Sequence, residues 1–236
     1  MRVKYFKGVS VSNVGLQKNS EGKKSRILHS AAKMFLKNGY NQTKVSEIAS
    51  DAGVSANTIF FFFESKEGVL ADLVKYVLNG QFTTTEKLLQ NVPHDSILFY
   101  AAETTLQLYM VESNENIRDL YTAAYSMPKT TDIIQNTITG KLETIFKEHL
   151  PDLETKDFFK LEIASGGIMR GFMSVPCNMW FTMKQKVESF LECTFKLYDV
   201  PQEKIREAIE FVTQFDYPKL AEQTISNMLT VLESQT

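Results

Sequence analysis

Three observations predict an all-α fold. Apolar residues recur at three- and four-residue spacing through most of the chain. No stretch alternates apolar and polar residues as a half-buried strand does, and prolines at 128, 151, 176, 201 and 218 fall between the periodic stretches. At 236 residues, the chain exceeds one small helical unit several times over and has room for a second core. The expected organisation is a mobile arm over residues 1–19, a compact head over 20–65 and a larger body over 66–236. There is no internal repeat and no low-complexity segment apart from a run of four phenylalanines at 60–63.

The head is built from short, well-punctuated helices. Ile27, Leu28, Ala31, Ala32 and Phe35 form the apolar face of the first, and Gly39 stands where a left-handed cap closes a helix. Thr43 suits the N-cap of a second helix, whose inward face is Val45, Ile48, Ala49 and Ala52. Gly53 supplies the left-handed residue of a sharp turn, Val54 an apolar plug and Ser55 a further N-cap. In the third helix Ile59 and Phe62 or Phe63 point inward, leaving Ala56, Asn57, Thr58, Phe60 and Phe61 to face out. Two short helices around a glycine-centred turn form the geometry that lays a helix in a DNA groove, so these five are the candidate base readers.

A fourth helix opens at Ser65-Lys66-Glu67 and carries Val69, Leu70, Leu73, Val74, Val77 and Leu78 on one face toward Asn91-Val92-Pro93. Lys66 sits beside amides that carry partial positive charge, a poor arrangement for helix stability and a useful one for clamping phosphate. Further helices are expected over 95–113, 116–125, 131–150, 157–175, 178–197, 202–215 and 218–232. Three glycines within Ser165–Phe172 each cost about 1 kcal/mol in a helix unless a close approach offsets it, which points to a tight contact, a ligand or a kink.

In its order of motifs the segment 23–76 resembles the N-terminal domain of the TetR family of bacterial transcriptional regulators. The resemblance rests on Gly39-Tyr40, Thr43, Ala52-Gly53-Val54-Ser55, Thr58-Ile59-Phe60, and Phe63 followed by Ser65-Lys66-Glu67, all in sequence. It implies a three-helix DNA-binding head, a long fourth helix, a divergent helical body that binds ligand and dimerises, and repression relieved by a small molecule. By position in the family, Gly166, Gly167 and Gly171 and the last helix, with Leu229, would meet their copies from a second subunit in a four-helix bundle. One departure matters: the family usually has tyrosines at Phe60 and Phe62, so two phosphate-bonding hydroxyls are missing here. An exposed Phe61 can instead press on a thymine methyl group.

Charge divides along the same boundary. Residues 1–75 carry a net +6 and residues 76–236 a net −8, as expected where the head meets phosphate and the body does not. Cys177 and Cys193 form no disulfide framework, no cysteine–histidine spacing suggests a metal site, and no apolar run approaches the length of a membrane span. A cytoplasmic protein without cofactor follows. The three histidines are dispersed, and no phosphate loop or nucleophile elbow appears, which argues against an enzyme.

The functional expectation is a homodimer on a (pseudo)palindromic double-stranded operator, its recognition helices about 34–36 Å apart. Thr43, Lys44 and Lys66 would hold phosphate, with Ser55 and the five readers at the groove. An adaptable apolar effector pocket in the body would draw on Tyr109, Met110, Tyr121, Tyr125, Met127, Phe172, Met173, Met179, Trp180 and Met183, with 178–215 as its roof. A cationic effector would pair with Glu103, Glu112 or Glu162, an anionic one with Arg118 or Arg170. The alternative is a helical hydrophobe carrier whose DNA-binding head has weakened.

Overall fold

The computed structural model describes residues 11–234, with side chains from residue 20 onward, as eleven helices and, among those residues, no strand. The first helix, α1 (Val11–Asn38), starts well before residue 20. Residues 1–10 lie outside the described residues, whereas 11–19, expected as an arm, continue the helix. The cause is local: no proline interrupts 11–38, and elongating a nucleated helix adds one hydrogen bond per residue. Gly39 ends α1 at φ +79° with its amide donating to the Phe35 carbonyl at 2.9 Å. A Cβ there would also come within 2.9 Å of Asp119 Oδ2. Gly39→Ala is therefore expected to cost about 1–2 kcal/mol, read as a lower urea midpoint with an unchanged m-value.

Helices α2 (Val45–Asp51), α3 (Ala56–Phe63) and α4 (Lys66–Leu88) complete the head. Gly53 takes φ +64°, and Val54 donates back to the Ala49 carbonyl at 3.0 Å, closing the turn between α2 and α3. Ser55 Oγ accepts from the Thr58 amide, and Ser65 Oγ accepts from that of Gly68, so α3 and α4 begin with side-chain caps. Ile27, Phe35, Ile48, Ile59 and Val69 are fully enclosed where the four helices meet.

The body contains α5 (Ser96–Glu112), α6 (Glu115–Ala124), α7 (Pro128–Phe146), α8 (Thr155–Ser174), α9 (Met183–Leu197), α10 (Gln202–Val212) and α11 (Tyr217–Ser234). Helix α5 is its axis, buried on nearly every side, with α4, α6, α7, α8, α9, α10 and α11 packed around it. An aromatic cluster fills the far end: Phe146 stacks on Tyr198 at 3.9 Å between ring centres, and Tyr100 meets both edge-on. Two helix starts in the body lie three or more residues from the sequence expectation. Helix α7 starts at Pro128 rather than 131, because proline at the first helical position needs no amide partner and its φ suits a helix. Helix α9 starts at Met183 rather than 178, because Asn178 Oδ1 accepts from the Trp180 and Phe181 amides and holds a turn there.

Head and body are joined without a linker. Helix α11 packs on α1 and α4 as well as α5, and α6 lies on α1. Two polar latches fix the join. Asn116 Nδ2 donates to the Leu36 and Lys37 carbonyls at the end of α1, while Asp119 accepts from the backbone and side-chain amides of Asn41. At the other corner the Lys129 amide donates to Glu67 and its ammonium to Glu64.

Candidate nucleic-acid interface and effector chamber

The α2–turn–α3 unit presents one flank of α3 to solvent. Ile59 and Phe63 are buried, Phe62 is half-buried, and Asn57, Phe60 and Phe61 face out. Phe61 is 82% exposed, a large apolar cost for an isolated head and a ready surface for a base edge. Thr58 is half-buried, and its Oγ1 lies 2.9 Å from Ser55 Oγ. Ala56 is half-buried against the head core, which limits its reach. Ser55, Asn57, Thr58, Phe61 and Phe62 border an open groove of about 400 Å³ together with Ser20 and Lys23 from α1. Those last two were missed in the sequence, because only the extended α1 brings them beside α3. Their signal was the basic start of the segment, Lys23-Lys24.

Two expected phosphate contacts need correction. Thr43 is not the cap of α2. Lys44 holds that position, with its amide donating to Glu47 Oε2 at 3.0 Å, and Thr43 is buried with its hydroxyl donating to the Gly39 carbonyl at 2.7 Å. A hydroxyl turned inward cannot meet DNA. Lys66 likewise points back, its ammonium donating to the Tyr40 and Thr43 carbonyls at 2.9 and 3.0 Å and lying 4.3 Å over the Tyr40 ring. Burial lowers the Lys66 pKa, with Asp119 opposing the shift. The residue staples the α1–α2 turn to α4. Lys66→Met is thus expected to cost about 1–3 kcal/mol of stability by stranding two carbonyls, with no change in the salt dependence of DNA binding. A slope reduced by one unit would restore the phosphate role. Lys44, by contrast, is exposed beside α2.

Beneath the head lies a cavity of about 80 Å³ with almost wholly apolar walls. Ala32 and Leu36 of α1, Leu73 and Val77 of α4, and Met228 and Leu229 of α11 are among its lining, with Met110, Tyr121 and Tyr125 as expected from the sequence. Gln81 is fully buried in the same wall; its Oε1 has no partner and its Nε2 reaches only Met110 sulfur at 3.9 Å. A smaller cavity of about 40 Å³ adjoins it, sharing Leu78, Gln107 and Tyr125 and bordered by Glu103, Glu162 and Phe190. Burial raises Glu103 to about 7 and Glu162 to about 8; a hydrogen bond from Ser165 partly offsets the rise at Glu162.

The other candidate pocket residues lie elsewhere. Met179 and Trp180 are 80% and 81% exposed on the Asn178 turn, so neither roofs a cavity. Tyr109 stacks on Tyr217, Phe172 packs on Phe181 and Phe190, Met173 is sealed in the body core, Met183 lies 3.8 Å from Cys177 sulfur, and Met127 caps α7 beside the head core. Leu229, half-buried, lines the chamber, and Gly166 faces Glu162. Glu112 is already committed, accepting from Lys186 at 2.7 Å and Arg118 at 3.0 Å. On α8 the open glycines 167 and 171 continue an exposed stripe with Phe159, Ile163 and Val175, each four residues from the next.

This geometry fits a helix-turn-helix DNA-binding regulator with an apolar cavity in its helical body. The family model described as bacterial regulatory proteins, tetR family, matches residues 27–73. The Fatty acid metabolism regulator protein of Bacillus subtilis (strain 168) is 40% identical over 186 residues, covering 72% of this chain and 90% of that protein. The Probable HTH-type transcriptional regulator YttP of the same organism is 26% identical over 155 residues, covering 65% of this chain and 69% of its own. Among solved structures, RolR in complex with resorcinol superposes with a TM-score of 0.62 at 14% identity, covering 84% of this chain and 97% of that one. SmeT, repressor of the Stenotrophomonas maltophilia multidrug efflux pump SmeDEF, gives 0.51 at 18% identity, covering 76% and 96%. The chain belongs to the TetR family: it is a ligand-responsive, DNA-binding transcriptional regulator. Among the described residues no helix is long and apolar enough to cross a membrane, and no group of acidic, histidine or cysteine side chains is placed to hold a metal.

Proposed function

We propose that this protein is a homodimeric cytoplasmic repressor that reads a pseudo-palindromic operator with Asn57, Thr58, Phe60 and Phe61, and leaves it when a long acyl chain fills the chamber beneath the head. The observation that carries this reading is the chamber's wall. Because α1 supplies Ala32 and Leu36 to it and α4 supplies Leu73 and Val77, an occupant larger than about 80 Å³ would press on two helices of the DNA-reading unit as well as on the body helices around them. Apolar walls favour a hydrocarbon, at about 0.8 kcal/mol for each methylene buried. The kinship with a fatty acid metabolism regulator supports the same chemistry. Lys23, at the groove beside α3, and Lys44, exposed beside α2, would take the phosphate contacts in place of Thr43 and Lys66.

The second copy would dock on the α8 stripe, whose bare glycines allow close backbone approach. Ile163→Glu is expected to yield monomers by sedimentation and to weaken operator binding at least tenfold, since two heads must then bind independently. The central test is a mobility-shift titration against the DNA upstream of the coding sequence, with and without saturated acyl compounds of 12 to 18 carbons. Salt-sensitive binding that these compounds abolish supports the reading. Failure to bind any duplex at low ionic strength would overturn it.

A further inference from the structure

Two acidic side chains serve neither the DNA-reading surface nor the hydrocarbon chamber. Glu103 on α5 and Glu162 on α8 are 7% and 3% exposed and both border the smaller cavity. Among the described residues neither forms an ion pair within 4 Å. Glu162 Oε2 accepts from Ser165 Oγ at 3.2 Å, and Ser165 Oγ in turn accepts from the Tyr198 hydroxyl at 2.9 Å. Gly166 keeps the space beside Glu162 open, since a Cβ there would stand 3.3 Å from Glu162 Oε1. On the Glu103 side, Gln107 Nε2 is already donating to the Tyr125 hydroxyl. The remaining walls hold one charged group: Lys141 of α7, exposed, with its ammonium 4.7 Å over the Phe82 ring. Helices α4 and α9 contribute Leu78, Phe82 and Phe190 to this wall, and no charge.

A carboxyl left in such surroundings keeps its proton to a higher pH than an exposed one: burial raises Glu103 to about 7, against the pull of Lys141, and Glu162 to about 8. In that form it is a hydrogen-bond donor as well as an acceptor, which an ionised carboxylate is not. The cavity shares Leu78, Gln107 and Tyr125 with the apolar chamber, so a chain lying in one brings its end group to the other.

We propose that this cavity is the head subsite of the effector, in which Glu103 and Glu162 donate hydrogen bonds to the uncharged carbonyl of an acyl thioester, ester or amide and turn away a free carboxylate. The assignment rests on the acyl reading above and names the head chemistry within it. A carboxylate would face two acids with Lys141 alone at the rim. An ammonium would have to strip both protons before it could pair, at a cost set by their burial. A carbonyl takes the carboxyls as they are.

The test uses the full-length protein on its operator and three ligands with the same sixteen-carbon chain, each below its micelle concentration: hexadecanoyl thioester of N-acetylcysteamine, hexadecanoic acid and hexadecylamine. At pH 7 the thioester is expected to release DNA at a concentration at least tenfold below the other two. Its potency should fall as pH rises through 7 and 8, where the carboxyls ionise. The double variant Glu103→Gln, Glu162→Gln keeps uncharged donors and should hold thioester potency within threefold while losing the pH dependence. Potency for the acid within threefold of the thioester, the amine as the most potent ligand, or an unchanged pH profile in the Gln variant overturns the proposal alone. Release by none of the three overturns the acyl reading itself, and this subsite with it.

Discussion

Replacing Asn57 and Phe61 together by alanine is expected to lower affinity for the operator about 100-fold, while binding to unrelated duplex changes by less than threefold. Both side chains lie on the outer flank of α3, Phe61 touching the half-buried Phe62 edge-on, so the change removes contact surface without opening the head core, which rests on Ile59 and Phe63. A good base-edge contact is worth roughly 1–3 kcal/mol, and Asn57 to an adenine edge and Phe61 to a thymine methyl together fall in the range of two such contacts. Non-specific binding depends on phosphate contacts and counterion release, which neither residue supplies. Fluorescence anisotropy against both duplexes over a range of salt separates the two terms. An equal loss on both duplexes, or a shallower salt slope, would show that α3 holds backbone rather than bases. The same measurement bears on the phenylalanine run. Phe60 is 46% exposed, so Phe60→Tyr would place a hydroxyl near the phosphates and should raise affinity for both duplexes alike.

What the sequence made legible was local chemistry. Gly39 and Gly53 were readable because only a residue without Cβ takes positive φ cheaply, and Ser55 because a hydroxyl before an apolar run caps a helix. Ile59 followed from spacing alone, which left the choice between Phe62 and Phe63 to the packing that buries Phe63. Thr43 failed by one residue: threonine and lysine both flank the start of α2, and Glu47 can cap through a backbone amide, so the hydroxyl was free to turn inward. Lys66 failed because its partners are carbonyls 23 and 26 residues away, invisible to any local pattern. Met179 and Trp180 failed because hydrophobicity reports what a side chain prefers rather than where an Asn178 turn puts it. The chamber is a different kind of miss. It is assembled from α1, α4, α5, α6, α7 and α11, with Leu229 in its wall; only the packing of distant helices shows that.

Folding stability is expected to fall as pH rises from 5 to 8, opposite to the behaviour of a protein whose carboxylates are held by ion pairs. The sign follows from proton counts. Glu103 and Glu162 titrate from 4.5 in the unfolded chain and only at about 7 and about 8 when folded, so between those values the native state binds more protons. Stability then decreases with pH in that window, on the order of a few kcal/mol for two coupled sites. Below pH 4.5 both states are protonated and the groups contribute no slope. Paired carboxylates such as Asp51 and Asp72, whose pKa values are lowered, act only at more acidic pH and leave the window to the buried pair. Urea unfolding at half-unit steps measures the slope directly. The variant Glu103→Gln, Glu162→Gln should flatten it and unfold at higher urea than the natural chain at pH 8, because an amide need not be ionised in the unfolded state. A slope that survives both substitutions would place its origin elsewhere and leave these carboxyls ionised in the native fold. An uncharged donor pair is what the head subsite requires, so the same curve weighs on how the effector is recognised.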